Sequence, residues 1–512
     1  MKRIPLKIVL IFCLLLKIDG HSQVVRIWAS GAKGNASDRG EGLSIDKNNN
    51  TYLTGYYQSI TSNPGEFVFG KDSFQTAFRD CFLIKFDANG NRIWARSSVG
   101  GYAWGTATAT AEDNNIYITG LYEGNITFGT FNFTTIANAQ DIFLAKYDQN
   151  GKQLWASSPV VTNISGYNIY NAANAVATDK SNNVYLTGSY EDQIAFGSFT
   201  LPKNPSTPGN MFLVKYGPTG NVIWAKYSSG TGTAVGNSVV TDAHNNIYVS
   251  GYFTAGTAIF GSCNVTCNTG SGFYFLTKYD SNGNAIWART LSNAWKGTCP
   301  TPIVSSTSIT IDKYNNPIIG GTEFMDSIRI GSFTLGKTKP ILFTAKYDTG
   351  GNVLWAKSST GGYSYLSNVL SMTTDKCGNI YFSVQVRVSD SVRYGSTLYK
   401  GSYVEELDSL GNSLKGIEVT NSVSDQCNVL VAIDNWGNAI IGGEFVDTLT
   451  AGKDSLKTSG GRDYPFNMKT LFNNNCCHAP QLNITGSDSV CRSIGKQVLK
   501  VFPLGANYVW SN

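Results

Sequence analysis

Short apolar runs with a two-residue period alternate along this chain with clusters of Asp, Asn and Gly. In Ala173-Asn-Ala-Val-Ala-Thr178 apolar and polar positions trade places, the pattern of a half-buried strand. Asp179 to Asn183 interrupts it, and Val184-Tyr-Leu-Thr-Gly-Ser-Tyr190 follows as a second strand. Asp and Asn suit the break because their side chains bond their own backbone and tolerate a left-handed residue. A short apolar pair from Ile194 to Leu201 comes next, then Met211-Phe-Leu-Val-Lys-Tyr216. The turn Gly217-Pro-Thr-Gly220-Asn221 reverses the chain into Val222-Ile-Trp224-Ala225-Lys226. No segment keeps a 3.6-residue period over three turns with helix caps, so little helix is expected.

The pattern recurs. Copies of the Asp179 turn begin at Asp46, Asp113, Asp179, Asp242, Asp312, Asp375 and Asp434, roughly 60 to 70 residues apart, which is the signature of a repeat architecture. Each unit supplies four main antiparallel strands, the content of one β-propeller blade. The last unit has a third strand near Phe466-Asn-Met-Lys-Thr-Leu471 but no Trp-Ala strand after it, whereas an orphan Ile27-Trp28-Ala29-Ser30 precedes the first unit. If that N-terminal strand completes the last blade, seven blades close into a ring and no sheet edge stays bare. An open solenoid would show polar capping repeats at both ends, and none is seen. The expected fold is therefore all-β, a seven-bladed β-propeller closed by its N-terminal strand.

Two motifs carry a family resemblance: Thr178-Asp179-Lys-Ser-Asn-Asn183-Val-Tyr-Leu-Thr-Gly188, and Phe143-Leu-Ala-Lys-Tyr-Asp148-Gln-Asn-Gly151-Lys-Gln-Leu-Trp155-Ala156. Recurring in order over about residues 27 to 475, they resemble the bacterial SBBP-type β-propeller repeats of secreted and surface proteins. The resemblance implies the propeller fold and an exported address, and it implies no catalytic residues. Late units depart from the pattern: Leu414-Lys415 stands where Trp-Ala is expected, and Val384 replaces a Gly.

Composition agrees with many short strands. Charged residues are 15%, with 54 Gly and 12% aromatics, against about 25% charged in ordinary domains. The formal charge is +5, but four bases and one acid sit before Gly20, and the remainder carries about +2, which gives no electrostatic reason to expect nucleic acid or an anionic membrane. Lys2 and Arg3, the apolar Ile8 to Leu16 and the Gly20 to Gln23 region read as a secretory signal peptide over 1-22. The apolar run is too short to span a bilayer, and no transmembrane segment is expected. The propeller is assigned to 23-475. Residues 476-512, with Pro480 to Cys491 and Ala506-Asn-Tyr508-Val-Trp510, look like the opening of an immunoglobulin-like or PKD-like module, a partial β-sandwich too short to bury a core alone.

Export permits disulfides. Cys263 and Cys267 could close one loop, and Cys377 and Cys427 hold related places in adjacent repeats; connectivity is not fixed by sequence. A zinc reading of Cys476, Cys477, His478 and Cys491 lacks the usual spacing. Gly331 to Thr338 matches the phosphate-loop pattern letter for letter, but a strand rather than a helix follows, so no nucleotide is expected. The Asp-x-Asn-Gly-Asn turns lack the downstream Glu of a calcium loop; no cofactor is expected beyond a weak structural calcium ion. His244 sits in a surface turn, and no Gly-x-Ser-x-Gly or His-Glu-x-x-His occurs.

Both kinds of Asp turn connect strands at one face of such a ring. The opposite face receives longer, varied segments carrying Tyr102, Trp104, Tyr167, Tyr170, Trp295, Tyr363 and Tyr365, the candidate binding residues. Varied loops on a rigid scaffold are where binding is usually built, and aromatics there suit sugar rings or protein side chains; the competing expectation is that they wedge between blades. Three readings follow. The first is a secreted or cell-surface scaffold that binds or adheres to a glycan or protein partner without enzymatic turnover. The second is an extracellular polysaccharide hydrolase or lyase using carboxylates or Tyr near the central channel. The third is a structural spacer in a multi-module adhesin.

Overall fold

The computed structural model describes residues 25–471 apart from 32, 35–36, 60–64, 70, 137–138, 163–168, 208, 255, 268–272, 291–306, 324–326, 337–340, 360–367, 386–391, 396, 400, 420–427, 446–447, 452–453 and 458–463, together with 490–491 and 500–501. Among these residues every regular element is a strand. The chain divides into two compact units, Met1–Phe472 and Asn473–Asn512. In the second, Val490–Cys491 pairs antiparallel with Lys500–Val501.

The larger unit is a repeat β-propeller. Ala234–Thr241, Ile247–Phe253, Phe273–Tyr279 and Ala285–Thr290 form one four-stranded antiparallel sheet in chain order. The same order recurs in the repeats carrying Asp46, Asp179, Asp312 and Asp375, and in the second repeat, which carries Asp113. The first two units share one larger sheet through a parallel bridge from Arg79 to Tyr102. In the last unit, the strand beside Tyr464–Leu471 is Val25–Gly31, antiparallel, with Val25 opposite Leu471 and Gly31 opposite Phe466.

The turn chemistry is local. Asp46 Oδ1 accepts from the backbone N–H of Asn48 and Asn50, each at 2.9 Å, and Oδ2 accepts from Asn50 Nδ2 at 2.8 Å and from the Tyr52 hydroxyl at 2.9 Å. Asp179 repeats the set with Ser181, Asn183 and Tyr185. The fourth turn position is left-handed, at φ 63° in Asn49 and 62° in Asn182, which is why Asn or Gly stands there. The second copy differs from the sequence alignment: Ala111 occupies the place of Asp46, closing the turn with Asn114 and Asn115. Asp113 lies two positions on, where its Oδ1 takes the Asn115 N–H at 3.1 Å.

Units are tied by side chains of the repeat itself. Lys215 Nζ and Trp224 Nε1 both donate to the Ser281 carbonyl of the next unit, each at 3.2 Å. Lys85 with Trp94, Lys146 with Trp155, Lys278 with Trp287 and Lys346 with Trp355 do the same to Gln149, Pro218, Thr349 and Ser409. Each indole lies flat on a turn glycine: a Cβ on Gly283 would come 3.1 Å from the Trp224 ring. At the other kind of turn, Asn182 Oδ1 accepts from the Asp113 N–H at 3.0 Å and Asn315 Oδ1 from the Ala243 N–H at 2.9 Å. The last and first units use the same bond, Asn435 N–H to Asn49 Oδ1 at 2.7 Å. Apolar faces are buried between sheets; Leu53 and Phe82 of the first unit share one cluster with Val429, Ile441 and Met468 of the last.

Candidate functional site

The innermost strands carry a β-bulge at one level, at Glu41, Thr106, Asn174, Asn237 and Leu370. A bulge turns one extra side chain out of the sheet's alternation. Glu41, Thr106, Asn174 and Asn237 accordingly line a central cavity of about 690 Å³, joined by Thr307 and Asn428. Several of them bind the neighbouring unit: Thr106 Oγ1 donates to the Ala173 carbonyl at 2.6 Å, Asn174 Nδ2 to the Gly236 carbonyl at 2.9 Å, and Asn428 Nδ2 to Glu41 Oε2 at 3.0 Å.

Glu41 is the one carboxylate among the described residues lining this cavity. Part of its surface meets the cavity, yet protein surrounds it, and burial pushes its carboxyl up to about 7 against a smaller downward pull from Arg39. Arg39 itself is committed to the fully buried Glu444, Nε to Oε2 at 3.3 Å. Directly across the strand pair from Arg39 stands Tyr56. Burial raises its phenol to about 12, with Arg39 and Arg79 pulling down and Glu41 and Glu444 pushing up.

Beside this group, on the end of the sheets away from the Asp turns, lies a run of rings. Phe78 and Tyr102 stand 5.3 Å apart between centroids, and Tyr102 and Trp104 stack at 6.3 Å with 24° between planes. The Arg79 guanidinium completes the run, 4.5 Å from the centroid of Trp104 and 4.5 Å from that of Tyr56. Phe78 is 52% exposed and Tyr102 42%. Two successive units build the site: Arg79 opens the third strand of the first with Phe78 in the bend just before it, and Tyr102 and Trp104 lie in the long inner strand Val99–Thr110 of the second.

The structure thus brings Tyr102 and Trp104 together, in a strand rather than the loop expected from sequence. Tyr170 is also a strand residue, in Ile169–Tyr170, and is 54% exposed; its N–H donates to Glu191 Oε2 at 3.1 Å. Tyr167, Trp295, Tyr363, Tyr365 and Cys427 lie outside the described residues. Phe78, Arg79 and Glu41 escaped sequence reasoning; the signal for Glu41 was an acid flanked by Gly40 and Gly42 in an inner strand.

Other candidates resolve locally. Cys263 and Cys267 stand at opposite ends of one strand, opposite Phe260 and Gly256, so at about 3.4 Å per residue they sit too far apart for the 4.4–6.8 Å Cα spacing of a disulfide. The phosphate-loop look-alike begins as a hairpin, Ile328–Ile330 paired with Phe333–Leu335 around a left-handed Gly331 at φ 59°. His244 lies in its turn, its N–H donating to Asp242 Oδ1 at 2.9 Å. Among the described residues no three His, Cys, Asp or Glu side chains group as a metal site, and no helix is long and apolar enough to cross a membrane.

No family model matches the chain. It is 27% identical over 365 residues to an uncharacterized WD repeat-containing protein of Acanthamoeba polyphaga mimivirus, a match covering 60% of this chain and 26% of that protein. The chain therefore spans about a quarter of the length of the curated relative. Loose overlaps in solved structures include a polysaccharide lyase of a new family, an ulvan lyase, at 11% identity and TM-score 0.39 over 85% of this chain and 97% of that one. Another is the quinohemoprotein alcohol dehydrogenase of Comamonas testosteroni, at 10% identity and TM-score 0.34 over 87% of this chain and 76% of that one.

Proposed function

We propose that this protein is a seven-bladed β-propeller, exported from the cell, that binds a glycan on the face away from its Asp turns without turning it over. Ring closure is supported by the pairing of Val25–Gly31 with Tyr464–Leu471 and by the Asn435 to Asn49 bond, which repeats at the last-to-first junction what links earlier units. Export is supported by the basic and apolar leader, and residues 476–512 are read as the start of a further module.

The observation that carries the binding reading is the run Phe78, Tyr102 and Trp104. Phe78 and Tyr102 are exposed, Tyr102 on a strand and Phe78 in the bend before one, and the stack gives a flat apolar platform beside polar groups, which is what a pyranose face needs. Against hydrolysis stands the count of acids. Most glycosidic cleavage uses two carboxyl groups, and the described cavity lining holds Glu41 alone. The test is a glycan array read with the wild type and Tyr102→Ala. Binding that the substitution weakens supports the reading; no glycan above background, with a protein partner found instead, overturns it.

A lyase reading has one observation in its favour. Tyr56 has the Arg79 guanidinium over its ring at 4.5 Å and Arg39 across the strand pair; burial holds its phenol up at about 12, so its role in such a reaction is to donate a proton to the leaving oxygen rather than to act as the base. Unsaturated product released from a uronate polymer by the wild type and not by Tyr56→Phe would establish it.

A further inference from the structure

Resting on the glycan reading, we propose that Arg79 selects acidic sugars, its guanidinium taking the carboxylate or sulfate of a residue whose ring lies on Tyr102 and Phe78.

The argument starts from what holds Arg79. Its Nε and Nη2 both donate to the same acceptor, Gln58 Oε1, the Nε bond at 2.7 Å. Its guanidinium lies over the Tyr56 ring and over the Trp104 ring, 4.5 Å from each centroid, and the two rings together clamp it. No carboxylate of a described residue lies within ion-pair distance of it, and Nη1 bonds no described residue. Glu123, opposite Tyr102 in the sheet, acts on it from farther away and accepts from Gln140 Nε2 at 3.3 Å. Arg39, the other cation nearby, has Glu444. A half-buried cation with no described carboxylate in contact is costly, and here it is held beside exposed rings. A guanidinium offers donors in a planar fork matched to carboxylates and to the oxygens of phosphate or sulfate. Tyr102 stacks on Trp104, whose other neighbour is Arg79, so a sugar on the exposed rings lies next to the fork. Lysine could replace it only in part, because the clamp needs a flat group.

The test compares polygalacturonate with its fully methyl-esterified form, which keeps the sugar ring and removes the charge, and adds a sulfated galactan as a second anion. Binding is measured by calorimetry at low and high salt for the wild type, Arg79→Gln, Arg79→Lys and Tyr102→Ala. The expected result is that the wild type prefers one or both anionic polymers by about tenfold to a hundredfold, the scale of a charge-assisted pair. Arg79→Gln should lose that preference and Arg79→Lys keep only part of it, and Tyr102→Ala should weaken all forms alike. Which anion wins distinguishes carboxylate from sulfate. Equal binding of charged and esterified polymer, or a preference unchanged in Arg79→Gln with a wild-type melting temperature, overturns the selection by Arg79 and leaves the glycan reading standing. Tyr102→Ala without effect on any binding polymer overturns the site for both.

Discussion

Lys415 lies directly across the sheet from Glu406, at the register where five other units set a Trp against a Lys: Trp94 and Lys85, Trp155 and Lys146, Trp224 and Lys215, Trp287 and Lys278, Trp355 and Lys346. In those five, both donors reach the carbonyl of a turn joining the third and fourth strands of the next unit. The unit after Glu406 has no such turn: its third strand ends at Leu471, and the strand beside it starts the described chain at Val25. A Lys and Trp placed here would lack that acceptor, and a buried donor without one costs about 1–3 kcal/mol. Glu406 and Lys415 stand there instead, Glu406 acting on the lysine's charge from across the strand pair, with the Tyr381 hydroxyl donating to Glu406 Oε1 at 3.1 Å.

Restoring the common pair should therefore gain nothing. Glu406→Lys with Lys415→Trp is expected to leave stability unchanged or lower, whereas Trp224→Ala, which empties a buried indole site, should cost about 3–5 kcal/mol. Urea unfolding measures both; a double variant more stable than wild type by over about 1 kcal/mol would contradict the seam argument.

The left-handed Asn at the fourth turn position sets up a second comparison. Asn182→Ala places a Cβ residue at φ 62° and removes the acceptor for the Asp113 N–H, at a cost of about 1–3 kcal/mol. Asn182→Gly keeps the backbone conformation and should cost less. If Ala and Gly prove equal in thermal unfolding, conformational strain is not what the Asn relieves.

Glu405 makes stability depend on pH. Fully buried, it is pushed up to about 7 by burial, opposed by hydrogen bonds from Ser413 and Tyr399 and reinforced by Glu406. A folded-state value above the ordinary 4.5 means that the folded protein holds a proton the unfolded chain gives up. That stability is full below about pH 4.5 and is lost as pH rises through about 7, up to about 3 kcal/mol. Glu405→Gln should flatten this part of the profile; equal slopes for variant and wild type between those limits would exclude Glu405 as its source.

The platform on the binding face can be tested apart from stability. Tyr102 is 42% exposed, so Tyr102→Ala should shift unfolding by no more than about 0.5 kcal/mol yet lower glycan affinity about tenfold. Tyr170→Ala, exposed but outside the run of rings, is the control and should leave binding unchanged.

The Val25–Gly31 strand covers the edge of Tyr464–Leu471. Deleting residues 23–31 bares that edge, and an open strand invites pairing between copies. The expected outcome is a lower melting temperature and soluble aggregates by light scattering. Adding back a synthetic peptide of residues 23–31 should reverse both.

The turns and the strands were legible in the sequence because their causes are local: alternation writes a strand, and an Asp carboxylate four residues from an Asn writes its own turn. Asp46 to Tyr52 needs nothing beyond its seven residues. The register was readable as well, since every Lys opposite a Trp sits at a fixed distance from its turn. What those side chains do was not legible. Whether Trp224 would wedge between units or face solvent depends on a carbonyl 57 positions later, and no local pattern carries that distance. The candidate site lies at the same remove. Arg79 and Trp104 belong to different units and meet because two sheets bridge at Tyr102, and Glu41 faces the cavity because a bulge turns it inward. Local hydrogen bonding decided the elements. Which rings surround a cation, and whether a carboxylate meets water or protein, was decided only when the sheets packed.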